Sequence, residues 1–275
     1  MPSKPAVALV RSAVRYDGVF KSLQLIQDSV AEKLAGSMRI VIKPDFFFTR
    51  RGMSTSVDAV RAVLDFILEF TNKKITIAEG LYNGSGVQKV FHDAQLHELH
   101  EDYGLRYVDL NKDEFVTLRL GNGLSVRVAK TVINSDFRIS LAVPKLFGKG
   151  FSATMANMAI GGVMSNSAAA VKNDKAKLLS SKYYDAAVAE ILKVVPPSLA
   201  VDDGFDSVIG RRSIETNFCI ASSDGVAADV VAAAALGGRL KKKIPGQKCL
   251  VLCQKAGLGQ LSLSKMNVLG DKLLL

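Results

Sequence analysis

Charged side chains follow successive predicted strands, at positions where α/β proteins bind ligands. Lys43 and Asp45 follow the second strand, Glu79 the third, Lys145 the fifth and Asp203 the sixth. Residues beyond the carboxyl ends of parallel strands meet in one crevice. Lysines there would neutralise an anionic substrate through charge-assisted hydrogen bonds. The three carboxylates are the candidates for proton transfer, which makes them the predicted catalytic residues.

A glycine-rich segment, 80–86, joins the third predicted strand to a helix. Free backbone amides and the positive end of a helix can cradle an anion, so Asn83 and Gly84 are predicted to bind substrate. The segment has neither the Walker pattern nor a dinucleotide fingerprint, and a plain turn with Ser85 as helix cap is an equally good interpretation. The polar residues predicted to orient a substrate are Thr55, Thr154 and Asn157.

The elements that position these residues are short apolar runs that alternate with helical patterns. The predicted strands span 7–11, 39–42, 74–78, 105–110, 139–143, 199–202, 218–221 and 248–254. Residues 57–70 carry apolar side chains at helical spacing, with Ser56 as a candidate N-cap. This alternation predicts an α/β fold, a mostly parallel sheet with helices on both faces. We expect one elaborated domain over residues 1–275.

Two segments interrupt the alternation of strands and helices. Residues 116–129 alternate apolar and polar side chains around Gly121-Asn122-Gly123, which predicts a β-hairpin. Residues 147–173 are rich in Gly, Ser, Ala, Met and Asn and show no sustained period. They predict a functional loop or cap.

The chain carries a formal net charge of +10, with 36 Lys+Arg against 26 Asp+Glu. This charge favours an anionic partner, either a small anionic ligand or nucleic acid. The densest basic run, 239–243, has no interleaved aromatic residue, so a solvated loop explains it better than a nucleic-acid patch. No apolar stretch approaches the ~20 residues of a membrane span, and the N-terminus lacks a signal-peptide pattern. We therefore expect no membrane partner and a cytoplasmic location.

Metal and thiol chemistry are not predicted. The three histidines, on a predicted helix over 86–103, fit a solvated face better than a metal site. Cys249 and Cys253 fall in a predicted strand, where ~13 Å would separate them, too far for one metal ion. There is no nucleophile elbow and no paired-cysteine zinc spacing, which excludes common hydrolase and zinc-module classes. The sequence assigns no cofactor and no oligomeric state.

Several of these segments, in this order and spacing, resemble the domain-of-unknown-function 362 family. The similar segments are 41–45, 77–80, 108–111, 143–145, 201–204 and 221–229. The resemblance covers 41–259 and implies an α/β fold shared with the lactate-racemase group, in a family associated with reductive biosynthesis and sometimes with iron–sulfur modules. After Lys145, where members commonly continue Lys-Thr-His, this chain reads Leu146-Phe147. Without that histidine or a cysteine cluster, iron–sulfur chemistry within the chain is not expected.

These observations predict an enzyme that acts on a small anionic substrate in a cleft at the carboxyl ends of parallel strands. The alternative is a non-catalytic protein that docks nucleic acid or an acidic partner through its basic surface.

Overall fold

A computed structural model describes residues 4–50, 52–121, 123–147, 150–165, 174–241, 244 and 248–273. Most of the strands form one large sheet. The strands are β1 (Ala6–Arg11), β2 (Ile40–Lys43), β3 (Ile75–Glu79), β4 (Arg106–Asp109), β5 (Phe115–Arg119), β6 (Ser125–Ala129), β7 (Phe137–Ala142), β8 (Lys145–Phe147), β9 (Gly150–Ser152), β10 (Leu199–Ile209), β11 (Arg212–Ser222) and β12 (Asn267–Gly270). The order in the large sheet is β12-β1-β11-β10-β7-β2-β3-β4.

The half of the sheet that runs from β10 to β4 is entirely parallel. The central strand β2, Ile40–Lys43, is a short and mostly apolar run in which every residue is buried. A strand covered on both faces needs apolar residues on both faces, so continuous apolar runs are typical of parallel sheets. In the other half, β11 runs antiparallel to both β10 and β1. The prediction of a mostly parallel α/β sheet is confirmed.

Helices cover both faces of this sheet. They are α1 (Arg15–Leu25), α2 (Ala31–Ala35), α3 (Val57–Leu68), α4 (Gln88–Asp93), α5 (Leu99–Tyr103), α6 (Lys130–Ile133), α7 (Thr154–Gly162), α8 (Asp174–Ser180), α9 (Tyr184–Leu192), α10 (Gly225–Leu240) and α11 (Lys248–Lys255). One apolar core lies between the sheet and α1 to α3. Two further cores pack on the opposite face, against α7, α9, α10 and α11. Ser56 caps α3 as predicted, since its side chain accepts a hydrogen bond from the Asp58 amide.

The predicted β-hairpin is confirmed as a separate two-stranded sheet formed by β5 and β6. Phe115 pairs with Ala129 and Arg119 with Ser125. Gly123 has a φ of +80°, a conformation that glycine adopts without steric cost. Val116 pairs with Val128 and Leu118 with Val126, so the apolar residues of the two strands lie on the same face of the hairpin.

Within the segment predicted as a loop or cap, the structure describes the short strand β9 and the helix α7. Residues 148–149 and 166–173 of that segment lie outside the described residues. Most side chains of α7 are buried, on the side facing the sheet and on the side facing neighbouring helices. A helix that is apolar around most of its circumference has no amphipathic period, so its pattern does not reveal it.

The prediction of a strand over 248–254 is wrong, because these residues form the helix α11. Cys249, Leu250 and Cys253 are its buried positions, and Val251 is exposed. That spacing follows the 3.6-residue period of a helix, which a short apolar run does not distinguish from a strand. Four residues apart on a helix, the two cysteines are neighbours, so the ~13 Å separation expected from a strand does not hold.

The prediction of a single helix over 86–103 is also wrong, because the segment is divided into shorter helices. Gln95, with a φ of +59°, separates α4 from a 3-10 turn at Leu96–Glu98 and from α5. The rings of His92 and His97 stack with centroids 4.5 Å apart. Within the described part of the chain, no group of three or more His, Cys, Asp or Glu side chains is arranged to hold a metal ion.

None of the helices that the structure describes is both long and apolar enough to cross a membrane.

Candidate functional site

A cavity of about 350 Å³ lies at the carboxyl ends of β2 and β3, under α7 and α8. Its size is within the range of small-molecule sites. The residues that line it are Lys43, Asp45, Phe46, Phe47, Glu79, Gly80, Tyr82, Lys145, Phe147, Gly150, Phe151, Ser152, Ala156, Asn157, Ile160, Gly161, Lys175, Leu179, Tyr184, Asp185, Lys248 and Cys249.

Five of the charged side chains that line the cavity are almost completely buried, with 1–5% of their surface exposed. They are Lys43, Asp45, Glu79, Lys145 and Lys175. Burying a charge costs free energy unless a partner and hydrogen bonds compensate it. The partners of each charged group therefore determine which hydrogen-bond donors and charges are left to bind a ligand.

Lys43, the last residue of β2, is fully compensated. Its Nζ donates to Glu79 Oε2 at 2.9 Å, to Asn157 Oδ1 at 2.7 Å and to the Pro44 carbonyl at 2.7 Å. An ammonium group has three N–H donors, and all three are used. Lys43 therefore positions Glu79 and Asn157 and has no donor left to bind an anion.

Asn157 and Glu79 are held by further bonds that agree with this arrangement. The Asn157 amide nitrogen donates to the Lys43 carbonyl at 3.1 Å and to Ser140 Oγ at 3.0 Å. Glu79 Oε1 accepts from the Gly80 amide at 2.7 Å, and its Oε2 also accepts from the Phe46 amide at 3.2 Å. The carboxylate of Glu79 is thus fixed at the cavity wall.

The close approach of α7 to Lys43 depends on Gly161. A Cβ atom at this position would lie 2.7 Å from Lys43 Cδ and closer still to Cε and Nζ. The neighbouring Gly162 is different, since its Cβ would meet Val132 Cγ1 at an ordinary 3.7 Å. Only the first of these two glycines is required by the site.

Lys145, in β8, forms the second ion pair of the cavity. Its Nζ donates to Asp45 Oδ2 and to the Val143 carbonyl, the latter at 3.0 Å, so one N–H has no acceptor among the described residues. Asp45 Oδ1 also accepts from the Phe47 amide at 3.2 Å. Among the lysines with an ion-pair partner here, Lys145 is the one that keeps a donor for a ligand.

Thr55 supports this ion pair from behind and does not line the cavity. Its hydroxyl accepts from the Asp45 amide at 2.7 Å and donates to the Leu141 carbonyl at 3.1 Å. Thr55 therefore fixes the turn that carries Asp45.

Lys175, in α8, has much less compensation than the other two lysines. Its Nζ donates to the Gly80 carbonyl, and no other hydrogen bond or ion pair to it is found among the described residues. Burial lowers the pKa of Lys175 to about 7; Glu79 and Asp109 oppose the shift, and Lys43 adds to it. Near neutral pH a large fraction of this lysine is an uncharged amine. Sequence reasoning missed it because inspecting strand ends cannot find a residue on a helix.

The opening of the cavity is aromatic. Phe47 stacks on Phe147 with ring centroids 5.6 Å apart, contacts Phe48 at 5.1 Å and lies 5.9 Å from Tyr82. Phe47 and Tyr82 are 38% and 42% exposed. A cluster of exposed aromatic rings beside a charged cavity is typical of a site that binds an apolar or planar group.

Asp203 does not reach this cavity. Successive residues of a strand point to opposite faces, and Asp203 faces α1, where Arg15 Nε lies 3.0 Å from its Oδ1. Burial raises the pKa of Asp203, and Arg15 opposes that shift. The expectation that Asp203 follows a strand end fails because β10 continues to Ile209.

Thr154, Asn83 and Gly84 also lie outside the cavity lining. The Thr154 hydroxyl and amide both donate to Asp229 Oδ1, so this residue anchors α7 to α10. Asn83 is exposed, and its Oδ1 accepts from the Ser85 amide and hydroxyl within a local turn. Ser85 is not the cap of α4, which begins at Gln88.

Two buried carboxyl groups, one on β10 and one on α10, lie outside the cavity lining. Asp229 accepts bonds from the first amides of α7, and burial raises its pKa to about 7 although these bonds oppose the shift. Both oxygens of Asp202 are buried without a hydrogen-bond partner among the described residues. Burial raises the pKa of Asp202 well above its usual value, and Asp229 adds to the shift. Burial thus favours the neutral acid form of both carboxyls.

Comparison with known proteins gives a family and a fold. A family model described as "Domain of unknown function (DUF362)" matches residues 40–234. A search of the curated proteins finds no match. The chain is similar to the lactate racemase apoprotein from Thermoanaerobacterium thermosaccharolyticum at 17% identity and a TM-score of 0.50, over 81% of this chain and 55% of that one. A protein from Thermotoga maritima matches at 14% identity and a TM-score of 0.39, over 88% and 58%.

The chain therefore spans little more than half the length of either solved structure. At 17% identity, the likeness to the racemase apoprotein shows a shared fold alone.

Substitution of Gly161 by alanine should disturb the Lys43 network. Overpacking of this kind costs about 1–3 kcal/mol, so we expect Gly161→Ala to lower the free energy of unfolding by that amount. The matched control is Gly162→Ala, which should change stability by less than about 1 kcal/mol. Urea unfolding of both variants measures the difference. Equal stabilities for the two variants would show that the contact with Lys43 is not close.

The burial of Lys175 should appear as a pH dependence of stability. The pKa of Lys175 falls from 10.5 to about 7 on folding, so the unfolded chain holds a proton that the folded protein has lost between these values. Stability should then rise with pH in this window, by ~1.4 kcal/mol per pH unit, relative to Lys175→Met. Urea unfolding gives the free energy of unfolding of both proteins at each pH. The difference between wild type and Lys175→Met should change by about 2 kcal/mol between about pH 7.5 and about pH 9. A difference that does not change with pH would contradict the burial of an uncharged amine.

Proposed function

Given that this chain belongs to the DUF362 family, we propose that it is an enzyme that binds and transforms a small anionic substrate in the cavity at the ends of β2 and β3. The observation that carries the proposal is the convergence of three buried lysines, from β2, β8 and α8, on one cavity with two carboxylates. Two ion pairs neutralise four of these charges, and the third lysine has no carboxylate partner among the described residues.

The open hydrogen-bond donors support an anionic group in the substrate. Within the part of the chain that the structure describes, Lys145 keeps one N–H, and Lys175 keeps the donors that Gly80 does not accept. A carboxylate or phosphate at these donors would form charge-assisted hydrogen bonds in a place from which water is largely excluded. Lys43 contributes by fixing the geometry and does not contact the anion.

The walls support an apolar portion in the same substrate. Ile160, Leu179 and Phe151 line the cavity, and Phe47 and Phe147 stand at its opening. Aromatic rings bind flat or apolar groups by stacking and by burial of surface. The proposed substrate therefore has an anionic end and an apolar or planar body.

The carboxylates support catalysis rather than binding alone. Glu79 and Asp45 stand at the cavity wall, each held by backbone amides and a lysine. Groups held in this way can exchange protons with a substrate without reorganising, which is what general acid–base catalysis needs. Their role in proton transfer stays a prediction, as does participation in reductive biosynthesis, which rests on the family resemblance.

Filling the cavity should abolish ligand binding. Leu179→Trp places a large ring in the cavity, whereas Lys177→Trp places the same ring on the exposed side of the same helix. We expect carboxylates and phosphates with an apolar body to raise the Tm of the full chain and of Lys177→Trp, and to leave the Tm of Leu179→Trp unchanged. A panel of such compounds, with neutral analogues, measured by thermal unfolding, tests this. Equal shifts in both variants would place the anion site elsewhere.

The alternative, docking of nucleic acid, predicts a different response to salt. Its dissociation constant should rise log-linearly with salt concentration, with a slope set by the number of phosphates contacted. A ligand enclosed in the cavity should respond much less, because buried charges are less screened. Titrations of the cavity ligand and of a duplex oligonucleotide from low to physiological salt separate the two. Tight oligonucleotide binding that survives in Leu179→Trp would favour the docking alternative.

A further inference from the structure

Lys175 differs from the other buried lysines of the cavity in the number of its partners. Lys43 donates to three acceptors and Lys145 to two, one of them a carboxylate in each case. Lys175 donates to the Gly80 carbonyl alone among the described residues. An amine with one N–H so engaged keeps its lone pair and a second N–H available, in contrast to an ammonium with three acceptors.

The surroundings of Lys175 favour its uncharged form. The side chain is 2% exposed and is one of the residues that line the cavity, so its amine lies at the wall of the site and is largely shielded from bulk water. The nearby ammonium of Lys43 disfavours a second positive charge, and burial does the same. A desolvated lysine next to another cation is the arrangement by which proteins activate an amine as a nucleophile.

We propose that Lys175 is a nucleophile that forms an imine with a carbonyl carbon of the substrate. This inference rests on the proposed function and adds the substrate class, an anionic aldehyde or ketone with an apolar body. The Nζ lone pair adds to the carbonyl carbon, and the C=O π bond opens to a carbinolamine. The two hydrogens of the amine then leave with the carbonyl oxygen as water, and a C=N bond remains. No electrons are gained or lost overall, so the step needs no oxidant or reductant.

Proton movement during this step is assigned to the carboxylate of Glu79, which lines the same cavity. Its charge acts on Lys175, and its Oε2 is held by Lys43 and by the Phe46 amide. Lys43 thus has a positioning role, because it orients Glu79 and disfavours protonation of Lys175. The imine nitrogen, once protonated, withdraws electrons from the neighbouring carbon, which is the usual purpose of such an intermediate.

Reductive trapping tests the proposal on the full chain. Glyoxylate, an anionic aldehyde, is added with cyanoborohydride, which reduces an imine to a stable secondary amine, and the modified lysines are identified by peptide mass spectrometry. At about pH 7.5 we expect Lys175 to be modified more than about tenfold faster than Lys89, an 84% exposed surface lysine. Lys43 and Lys145 in the same cavity should stay unmodified. Modification of Lys175 no faster than that of Lys89, or faster modification of Lys43, would overturn the proposal.

Two controls separate this inference from the proposed function. Leu179→Trp, which fills the cavity, should slow modification of Lys175 and leave that of Lys89 unchanged. If butyraldehyde modifies Lys175 as fast as glyoxylate does, the amine is a nucleophile but the cavity does not select anions, and the proposed function fails. If anionic ligands raise the Tm but no adduct forms on Lys175, the proposed function stands and the imine is excluded. The butyraldehyde and Tm comparisons use the wild-type chain, and the unchanged modification of Lys89 serves as the internal reference in Leu179→Trp.

Discussion

The ammonium of Lys43 is the group on which the arrangement of the cavity depends. It is buried at the end of β2, and its three N–H bonds go to β3 through Glu79, to α7 through Asn157 and to the turn after β2 through Pro44. A buried charge whose donors are all satisfied fixes the positions of its hydrogen-bond partners, because loss of any partner would leave part of the charge uncompensated. Gly161 is a consequence of this network, since α7 can approach the lysine only where no Cβ intervenes.

Charge balance then separates the lysines by role. Lys43 and Lys145 are each paired with a carboxylate, and Lys175 is not, among the residues that the structure describes. Three lysines that look equivalent in composition therefore have different chemistry: a positioning ammonium, a paired ammonium with one open donor, and an amine with a lowered pKa. The differences arise from hydrogen-bond partners and burial, so the proposed chemistry of the cavity rests on tertiary contacts.

The framework around the cavity follows from local rules. Buried apolar residues form the central parallel strands, Ser56 caps α3, and the strands β5 and β6 pair as a hairpin. Predictions from short sequence segments were wrong where the same pattern of apolar residues fits both a strand and a helix. The run 248–254 fits a buried strand as well as a helix, and packing against α9 selects the helix α11. The predicted helix over 86–103 is interrupted at Gln95, which has a positive φ although it is not a glycine, so the sequence gives no signal of the break.

By itself, the sequence determined the family, the α/β alternation, the hairpin and the strand-end positions of Lys43, Asp45, Glu79 and Lys145, because these depend on residue order and on the period of apolar side chains. Only the tertiary structure decided which polar residues share the cavity. Asp203 was separated from it by the length of β10 and by the alternation of side chains along that strand. The Thr154 hydroxyl donates a hydrogen bond to Asp229 outside the cavity lining, and Lys175 of α8 lines the cavity. These outcomes depend on contacts between segments far apart in the chain, which no local pattern encodes.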